Sequence, residues 1–299
     1  MNKRNPFYIA LIVAVLGVVL FSAKAVLVKL AYQYDVEAIP LLLFRMAFSL
    51  PVYAVVALIS RPKKPQAIRL KDYFWIFIFG FIGYYLASLF DFIGLQYIKA
   101  SLERIILFAY PTLVVFISWL FLKERPAKVQ LVAIVISYVG ILITFYDELD
   151  VQGQGSGVIF GGIMVLLSAI TYASYLVGSG WLIPKFGATT FTSYAMIISC
   201  LCVMVHYGLF IRSDLFHYPK EVYWLGFAMA MLSTVIPSYM VSFAIKHMGA
   251  ASFSIVGSLG PFSTIVLANI FLEEQMTILQ LAGAVVVIVG VMIVSKAKK

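Results

Sequence analysis

Long apolar runs, separated by short polar connections, occupy almost the whole chain. An α-helix needs about 20 mostly apolar residues to cross the hydrocarbon core of a bilayer. Ten runs approach or exceed that length, so the pattern predicts an all-α polytopic membrane protein with ten transmembrane helices. The predicted helices are 7–31, 36–59, 72–95, 99–122, 128–146, 157–180, 188–211, 221–245, 250–272 and 277–295.

The composition excludes an ordinary soluble domain. Of the 299 residues, 63% are hydrophobic and 12% are charged, and the mean hydropathy is +1.01. Soluble domains are usually about half apolar and a quarter charged. The net charge of +9 lies in short loops beside the apolar runs, which favours the positive-inside rule over a phosphate-binding stripe. We therefore expect the lipid bilayer, and no nucleic acid, around this chain.

Lysine and arginine are distributed unequally between alternate loops. Fifteen fall on the side that carries both chain ends, and four fall on the other side. By the positive-inside rule, this excess predicts a multi-pass protein of the inner (plasma) membrane with both termini in the cytoplasm. The four on the opposite side are Lys29, Lys99, Arg212 and Lys220.

The two halves of the chain resemble each other when the sequence is shifted by 150 positions. Helix four then overlays helix nine, and identical residues coincide along both helices and the segments that follow them. The coincident residues are Pro111 and Pro261, Phe121-Leu122 and Phe271-Leu272, Glu124 and Glu274, Gln130 and Gln280, and Gly140 and Gly290.

Each copy contains five helices, an odd number, so the second copy must enter the membrane from the opposite side. The predicted domains are a first five-helix repeat over 1–146, a periplasmic linker over 147–156 and an inverted repeat over 157–299. Inverted repeats are a recurrent design of secondary transporters, which bind substrate near the bilayer midplane between the halves.

Several of these residues resemble a known family. The stretch from Gly94 to Arg104, continuing through Tyr110-Pro111-Thr112, and the Phe-Leu-x-Glu that closes helices four and nine are similar to the EamA family of the drug/metabolite transporter superfamily. The resemblance covers essentially the whole chain. It implies a ten-helix transporter that works by alternating access, in a family that mostly exports amino acids and related metabolites. Where the family usually has Trp in the first helix, this chain has Phe21 and, in the second half, Tyr172.

Five ionisable side chains lie inside predicted spans of the first half. A charge near the bilayer centre costs about 2.5–3.5 kcal/mol on insertion scales. Together the five carry one net positive charge, which a cargo with a carboxylate would neutralise. The alternative is that Arg45, Arg104, Asp91 and Glu103 pair with one another and hold helices two, three and four together. The five residues are Lys24, Arg45, Asp91, Glu103 and Arg104.

On each of helices four and nine, residues at helical spacing form a row along one face. The row ends at Pro111 on helix four and at its equivalent, Pro261, on helix nine. Arg104 and Phe108 share one helix face with Pro111. A proline removes a backbone hydrogen bond and bends the helix, so we interpret the two prolines as hinges. On helix nine the matched row is small and hydroxylated, and it comprises Ser254, Ser258 and Pro261.

Tyrosines are further candidates for substrate binding, because each offers an apolar face and a hydroxyl tip. Tyr84 and Tyr85 follow Gly80 and Gly83, small residues that allow close helix approach. Tyrosines in membrane helices are also typical of the core or of interfacial belts, and that alternative stays open for each of them. The other candidates are Tyr110, Tyr172, Tyr175 and Tyr239.

Transport of a solute against its concentration gradient needs a source of energy. Asp91 or Glu103 could couple it to protons by titrating while alternately facing each side. Facilitated exchange without a proton is equally allowed.

The sequence contains no Walker motif, no catalytic Ser/His/Asp arrangement and no His/Cys cluster with metal spacing. Cys200 and Cys202 are two residues apart and point to different faces of one helix. We therefore expect a transporter of a small-molecule substrate, with no cofactor, no metal and no enzymatic activity. The alternatives are an importer or channel of the same fold and a membrane-embedded enzyme. A homodimer is compatible with the pattern, and the oligomeric state stays open.

Overall fold

The computed structural model describes residues 4–123, 126–152, 155–211, 214–248, 256–257 and 259–296. These residues form ten apolar helices joined by short connections, and no strand occurs among them. The helices are α1 Arg4–Tyr32, α2 Ala38–Ile59, α3 Leu70–Leu95, α4 100–122, α5 Lys128–Gln152, α6 Gly155–Phe186, α7 Ala188–Ile211, α8 220–248, α9 Leu259–Leu272 and α10 Ile278–Lys296.

The all-α membrane fold expected from the sequence is confirmed. Helices α1 to α8 are long and apolar enough to cross a membrane, and the described parts of α9 and α10 are shorter apolar helices. Two helix ends lie six residues beyond their predicted positions, because α6 continues to Phe186 instead of ending at 180 and α5 continues to Gln152 instead of ending at 146. The extension of α5 makes residues 147–152 of the expected linker helical. Thr277 Oγ1 donates to Asp147 Oδ2 over 2.6 Å and ties this extension to the start of α10.

Three helices depart from regular α geometry near their middle. A π-helical turn interrupts α3 over Phe81–Leu86, and another interrupts α8 over Met231–Val235. These two turns coincide at the shift of 150. Helix α4 is broken between Leu107 and Tyr110, immediately before Pro111. Such interruptions are frequent at functional sites.

Helices α5 and α10, which occupy the same place in their repeats, pack against each other. A methyl group added to Gly140 would lie 2.7 Å from the carbonyl oxygen of Gly283. One added to Gly290 would lie 2.8 Å from the carbonyl oxygen of Ala133. As the first helix advances from 133 to 140, the second therefore runs back from 290 to 283. The two helices are antiparallel, as inverted repeats require.

The α5–α10 packing is the same from either repeat. If the two repeats are exchanged, the contact between residues 140 and 283 becomes the contact between residues 290 and 133. The other main contacts also join the halves. Helix α1 packs against α8 and α9, and its counterpart α6 packs against α3 and α4. Helix α2 packs against its own counterpart, α7. An approximate two-fold axis therefore runs between the repeats.

The connections lie on two faces of the bundle. On one face, the backbone N–H of Lys64 donates to the carbonyl oxygen of Lys185 over 2.7 Å, and Lys185 Nζ lies 2.8 Å from Asp72 Oδ1. We name this the basic face, after its lysines. On the opposite face, the Glu274 carboxylate, just after α9, meets the start of α4 at Ala100 and Ser101.

Candidate functional site

A cavity of about 160 Å³ lies between the two halves. Its wall contains residues related by the internal repeat, with both members of a pair facing the same space. This arrangement places the cavity on the approximate two-fold axis. The pairs are Asp91 and Val241, and Leu107 and Gly257, together with Phe21 and Tyr172 at a shift of 151.

The ammonium group of Lys24 contacts two buried carboxyl groups, those of Asp91 and Glu103. Its Nζ lies 2.7 Å from Asp91 Oδ2 and 3.3 Å from Glu103 Oε1. Asp91 is 1% exposed and Glu103 is fully buried. A buried charge is stable only when it is paired or hydrogen-bonded. The acidic groups inside the first repeat are therefore engaged by an internal ammonium, and this cluster links α1, α3 and α4.

Arg45 reaches the cavity from α2 and is buried. Its Nε donates to Thr234 Oγ1 over 2.8 Å, and an Nη donates to Ser88 Oγ over 3.3 Å. Its guanidinium carbon lies 5.4 Å from the centroid of the Phe92 ring. These partners fix the orientation of the guanidinium but are neutral, so they do not cancel its charge.

Arg104 lines the cavity from α4. A methyl group added to Gly260 would lie 2.9 Å from an Nη of Arg104, so this glycine lets the guanidinium lie close to α9. Within the described part of the chain, its Nε has no hydrogen-bond acceptor, and neither Arg104 nor Arg45 forms an ion pair. Two guanidinium groups thus face the cavity, and neither forms an ion pair with a carboxylate of the described residues.

Aromatic side chains form the remaining wall. Tyr84, Phe108, Tyr110 and Tyr172 all line the cavity. The rings of Tyr110 and Tyr172 are 5.3 Å apart, and those of Tyr84 and Tyr172 are 6.4 Å apart. This wall offers apolar faces and hydroxyl groups beside the two arginines. The geometry therefore suits a small solute with both an anionic and an apolar part.

Three of the candidate tyrosines do not line the cavity. Tyr175 lies behind Tyr84, with ring centroids 4.7 Å apart. The Tyr85 hydroxyl is 2.9 Å from His206 Nδ1. The Tyr239 hydroxyl is 2.9 Å from Ser193 Oγ. Tyr84 and Tyr85 diverge because successive residues of a helix point about 100° apart.

The two candidate hinge prolines lie on α4 and α9, and the two candidate coupling residues lie beside Lys24. Pro111 follows the break in α4, where Thr112 Oγ1 donates to the carbonyl oxygen of Ala109 over 2.7 Å. Pro261 is buried near the start of the described part of α9. Asp91 and Glu103 share the Lys24 ammonium. Ser254 and Ser258 lie outside the described residues.

Residue spacing did not identify the residues that orient Arg45. Ser88 follows Tyr84 by four positions, so a helical stripe through Tyr84 could have indicated it. Thr234 is the counterpart of Tyr84 in the second repeat. Its hydroxyl donates to the carbonyl oxygen of Met229, five residues earlier, over 2.9 Å. This contact depends on the π-helical turn in α8, which no sequence signal marked.

Comparison with known proteins agrees with this architecture. YcbK of Bacillus subtilis (strain 168), named as an uncharacterized transporter, is 29% identical over 277 residues, covering 90% of this chain and 86% of YcbK. YdfC of the same organism, also named as an uncharacterized transporter, is 25% identical over 254 residues, covering 84% and 79%. A crystal structure with 14% identity superimposes with a TM-score of 0.63 over 95% of both chains, which shows a shared fold.

The pattern of the EamA-like transporter family matches twice, over residues 8–146 and 159–296. The two matches correspond to the two repeats that pack around the cavity, and together they cover most of the sequence. This multi-pass membrane protein belongs to the EamA-like transporter family.

Proposed function

We propose that this protein is a secondary transporter that exports a small metabolite with a carboxylate group, an amino acid or a related compound. The observation that supports this most is the pair of guanidinium groups, on Arg45 and Arg104, that face a cavity between inverted repeats and form no ion pair within the part of the chain that the structure describes. A carboxylate is the partner that a guanidinium fits best. In a bilayer an unbalanced charge is costly to maintain, so these residues favour an anionic group in the cargo.

The contact at Glu274 supports alternating access. Its carboxylate accepts hydrogen bonds from the backbone N–H groups of Ala100 and Ser101 over 2.9 and 3.1 Å, and from Ser101 Oγ over 2.6 Å. A carboxylate is stabilised at a helix N-terminus by the helix dipole. We name this contact the latch. It joins the start of α4 to the segment just after α9, on the face of the bundle opposite the basic face.

The approximate two-fold symmetry implies a second conformation, in which the cavity opens to the other side of the membrane. In the second repeat the counterpart of the latch would join Glu124 to the chain around residues 250 and 251, and all three positions lie outside the described residues. Exchange between the two latches, with bending at Pro111 and Pro261, would open the cavity to each side in turn. Asp91 and Glu103 are the candidates for proton coupling, because they share one ammonium and a proton could replace it on either carboxylate.

The distribution of basic residues supports an orientation. We place the basic face, with Lys64 and Lys185, in the cytoplasm, as the positive-inside rule favours. Both termini would then be cytoplasmic, and the Glu274 latch would lie on the external side.

Flux measurements in proteoliposomes test this proposal. Wild-type protein should take up at least one labelled solute from a panel of amino acids and related carboxylates. We expect Arg104→Ala and Arg45→Ala each to reduce that uptake at least tenfold, because a hydrogen-bonded charge partner contributes about 1.5–3 kcal/mol. Arg61→Ala is the matched control, since Arg61 is exposed in the α2–α3 connection. Unchanged uptake in both cavity variants, for every carboxylate that the wild type transports, would contradict the role of the cavity.

A further inference from the structure

We infer that the cargo enters the cavity as a net anion carrying one ring-sized apolar group, and that a zwitterionic amino acid is a poor substrate. Related compounds of this class include 2-oxo acids and amino acids with a blocked amino group. This inference rests on the proposed function, because it names the substrate class of the same cavity.

The charges around the cavity are already partly balanced. Lys24 contacts both Asp91 and Glu103, so the two acidic groups have an internal cation. Arg45 and Arg104 make no ion pair among the described residues. With all five groups ionised, the cluster keeps one net positive charge, and a proton shared by the carboxyl groups would raise it to two. A net anion lowers this charge, whereas a zwitterion leaves it unchanged.

An amino group in the cargo also lacks a good position. An ammonium binds best to a carboxylate, but the carboxylate on the cavity wall, Asp91, lies 2.7 Å from Lys24 Nζ. A cargo ammonium would have to displace Lys24 or lie beside a second cation, where like charges repel. It would also add a positive charge near Arg45 and Arg104. The site thus selects against an ammonium as well as for an oxyanion, as specific sites commonly do.

The volume and the aromatic wall limit the apolar part of the cargo. The cavity measures about 160 Å³, and an engineered protein cavity of about 150 Å³ accommodates benzene. Tyr110 and Tyr172 place their rings 5.3 Å apart beside this volume, so a planar group can pack against them. A single ring therefore fits this volume as the apolar group, whereas a bicyclic group would exceed it.

Three probes that share a phenyl ring and a short chain separate these possibilities. They are 3-phenylpropionate, a monoanion; phenylalanine, a zwitterion; and phenethylamine, a cation. Binding to the purified, detergent-solubilised full-length protein is measured by isothermal titration calorimetry at neutral pH. We expect 3-phenylpropionate to bind at least tenfold more tightly than phenylalanine, and phenethylamine to show no binding.

Substitution of Lys24 tests the reason for this order. Lys24→Met removes the internal ammonium and leaves Asp91 and Glu103 available to a cargo amino group, so the preference for 3-phenylpropionate over phenylalanine should fall at least tenfold. Lys24→Arg keeps the charge and should retain the preference. If Lys24→Met does not yield folded protein, the order of the three probes on wild-type protein still decides the question.

Equal or tighter binding of phenylalanine by wild-type protein would overturn the inference. Binding of none of the three probes would overturn it as well, because a ring-sized anion would then not be recognised. In either case the flux panel still tests the proposed function, since uptake of any carboxylate that depends on Arg45 and Arg104 would uphold transport while excluding this substrate class.

Discussion

Two regions on the same approximate two-fold axis have diverged to different extents. In the α5–α10 pair the repeats keep equivalent contacts, and Gly140 and Gly290 each pack against the other helix. Even the helix starts match, because Gln130 Oε1 accepts from the backbone N–H of Ala127 and Gln280 Oε1 accepts from that of Thr277. Around the cavity, in contrast, all the buried charges that we have described come from the first repeat.

Equivalent positions in the second repeat show how far the cavity has diverged. Asp91 corresponds to Val241, and Arg104 corresponds to Ser254. Conserving the packing of α5 and α10 preserves the relation between the halves. The different residues of the cavity wall give the symmetric scaffold a polar, one-sided surface. We propose that the equivalent α5–α10 contacts maintain the architecture and that the unequal positions of the cavity wall determine recognition.

Replacing Asp91 with the residue of its counterpart should have the largest effect. Asp91→Val leaves Lys24 with only Glu103, at 3.3 Å. Breaking a buried ion pair by removing one partner costs about 3–5 kcal/mol, and we expect the lower end because one carboxylate remains. Thermal unfolding in detergent should show a clearly lower Tm. Glu37→Val is the control, because Glu37 is exposed and makes no side-chain cap bond. Equal Tm changes in both variants would contradict the pairing.

Filling the α5–α10 contact should have the next largest effect. Gly140→Ala and Gly290→Ala each place a methyl group within 2.8 Å of backbone atoms of the other helix, and overpacking typically costs about 1–3 kcal/mol. The same thermal assay should show similar losses for the two variants. Gly180→Ala is the matched control, since nothing lies within 4 Å of the added methyl group. A large difference between Gly140→Ala and Gly290→Ala would show that the packing is not equivalent.

Weakening the latch should have a smaller effect. Glu274→Gln removes the negative charge that accepts three hydrogen bonds from the start of α4. We expect a loss of about 1 kcal/mol in stability, the difference between hydrogen bonds to charged groups, about 1.5–3 kcal/mol, and those to neutral groups, about 0.5–1.5 kcal/mol. Glu273→Gln removes the same charge from the neighbouring exposed position. A decrease in Tm for Glu273→Gln as large as that for Glu274→Gln would exclude a specific latch.

Removing one hydroxyl group from the aromatic wall of the cavity should have the smallest effect, a moderate increase in the KM for uptake. Tyr172→Phe makes this position resemble its counterpart Phe21, and losing a neutral hydrogen bond costs about 0.5–1.5 kcal/mol. The KM for uptake of a transported carboxylate should rise about two- to tenfold. Tyr85→Phe should leave KM unchanged, because Tyr85 contacts His206 away from the cavity. If Tyr85→Phe raises KM more than Tyr172→Phe, the assignment of the wall is wrong.

Hydrophobic pattern and internal repetition were sufficient to predict the helices and their pairing in two repeats. They did not predict the helix ends, since α6 continues to Phe186 instead of stopping at 180. The extension carries Lys185, whose ammonium pairs with Asp72 on α3, a contact between helices that the hydrophobic pattern does not reveal. The π-helical turns also escaped prediction, because neither turn itself contains a proline, although Pro237 lies two residues after the turn in α8.

The sequence identified the buried charges but not their partners. Helical periodicity gives the angle between residues of one helix, such as Glu103 and Arg104, but not the rotation of one helix relative to another. For this reason the pairing of Lys24 with both acidic residues could not be derived from spacing. Periodicity does explain why Glu103 points to Lys24 while its neighbour Arg104 points into the cavity.

The central claim is that the two repeats are inverted around the cavity, and single-cysteine accessibility tests it most directly. Lys123 and Glu273 occupy equivalent places after α4 and α9, with φ angles of 58° and 56°. Lys123→Cys and Glu273→Cys are introduced separately into a protein whose Cys200 and Cys202 have been replaced by serine. A membrane-impermeant maleimide should label the cysteine at 273 in intact cells, and the one at 123 only after permeabilisation. Labelling of both positions from the same side would contradict the inverted arrangement.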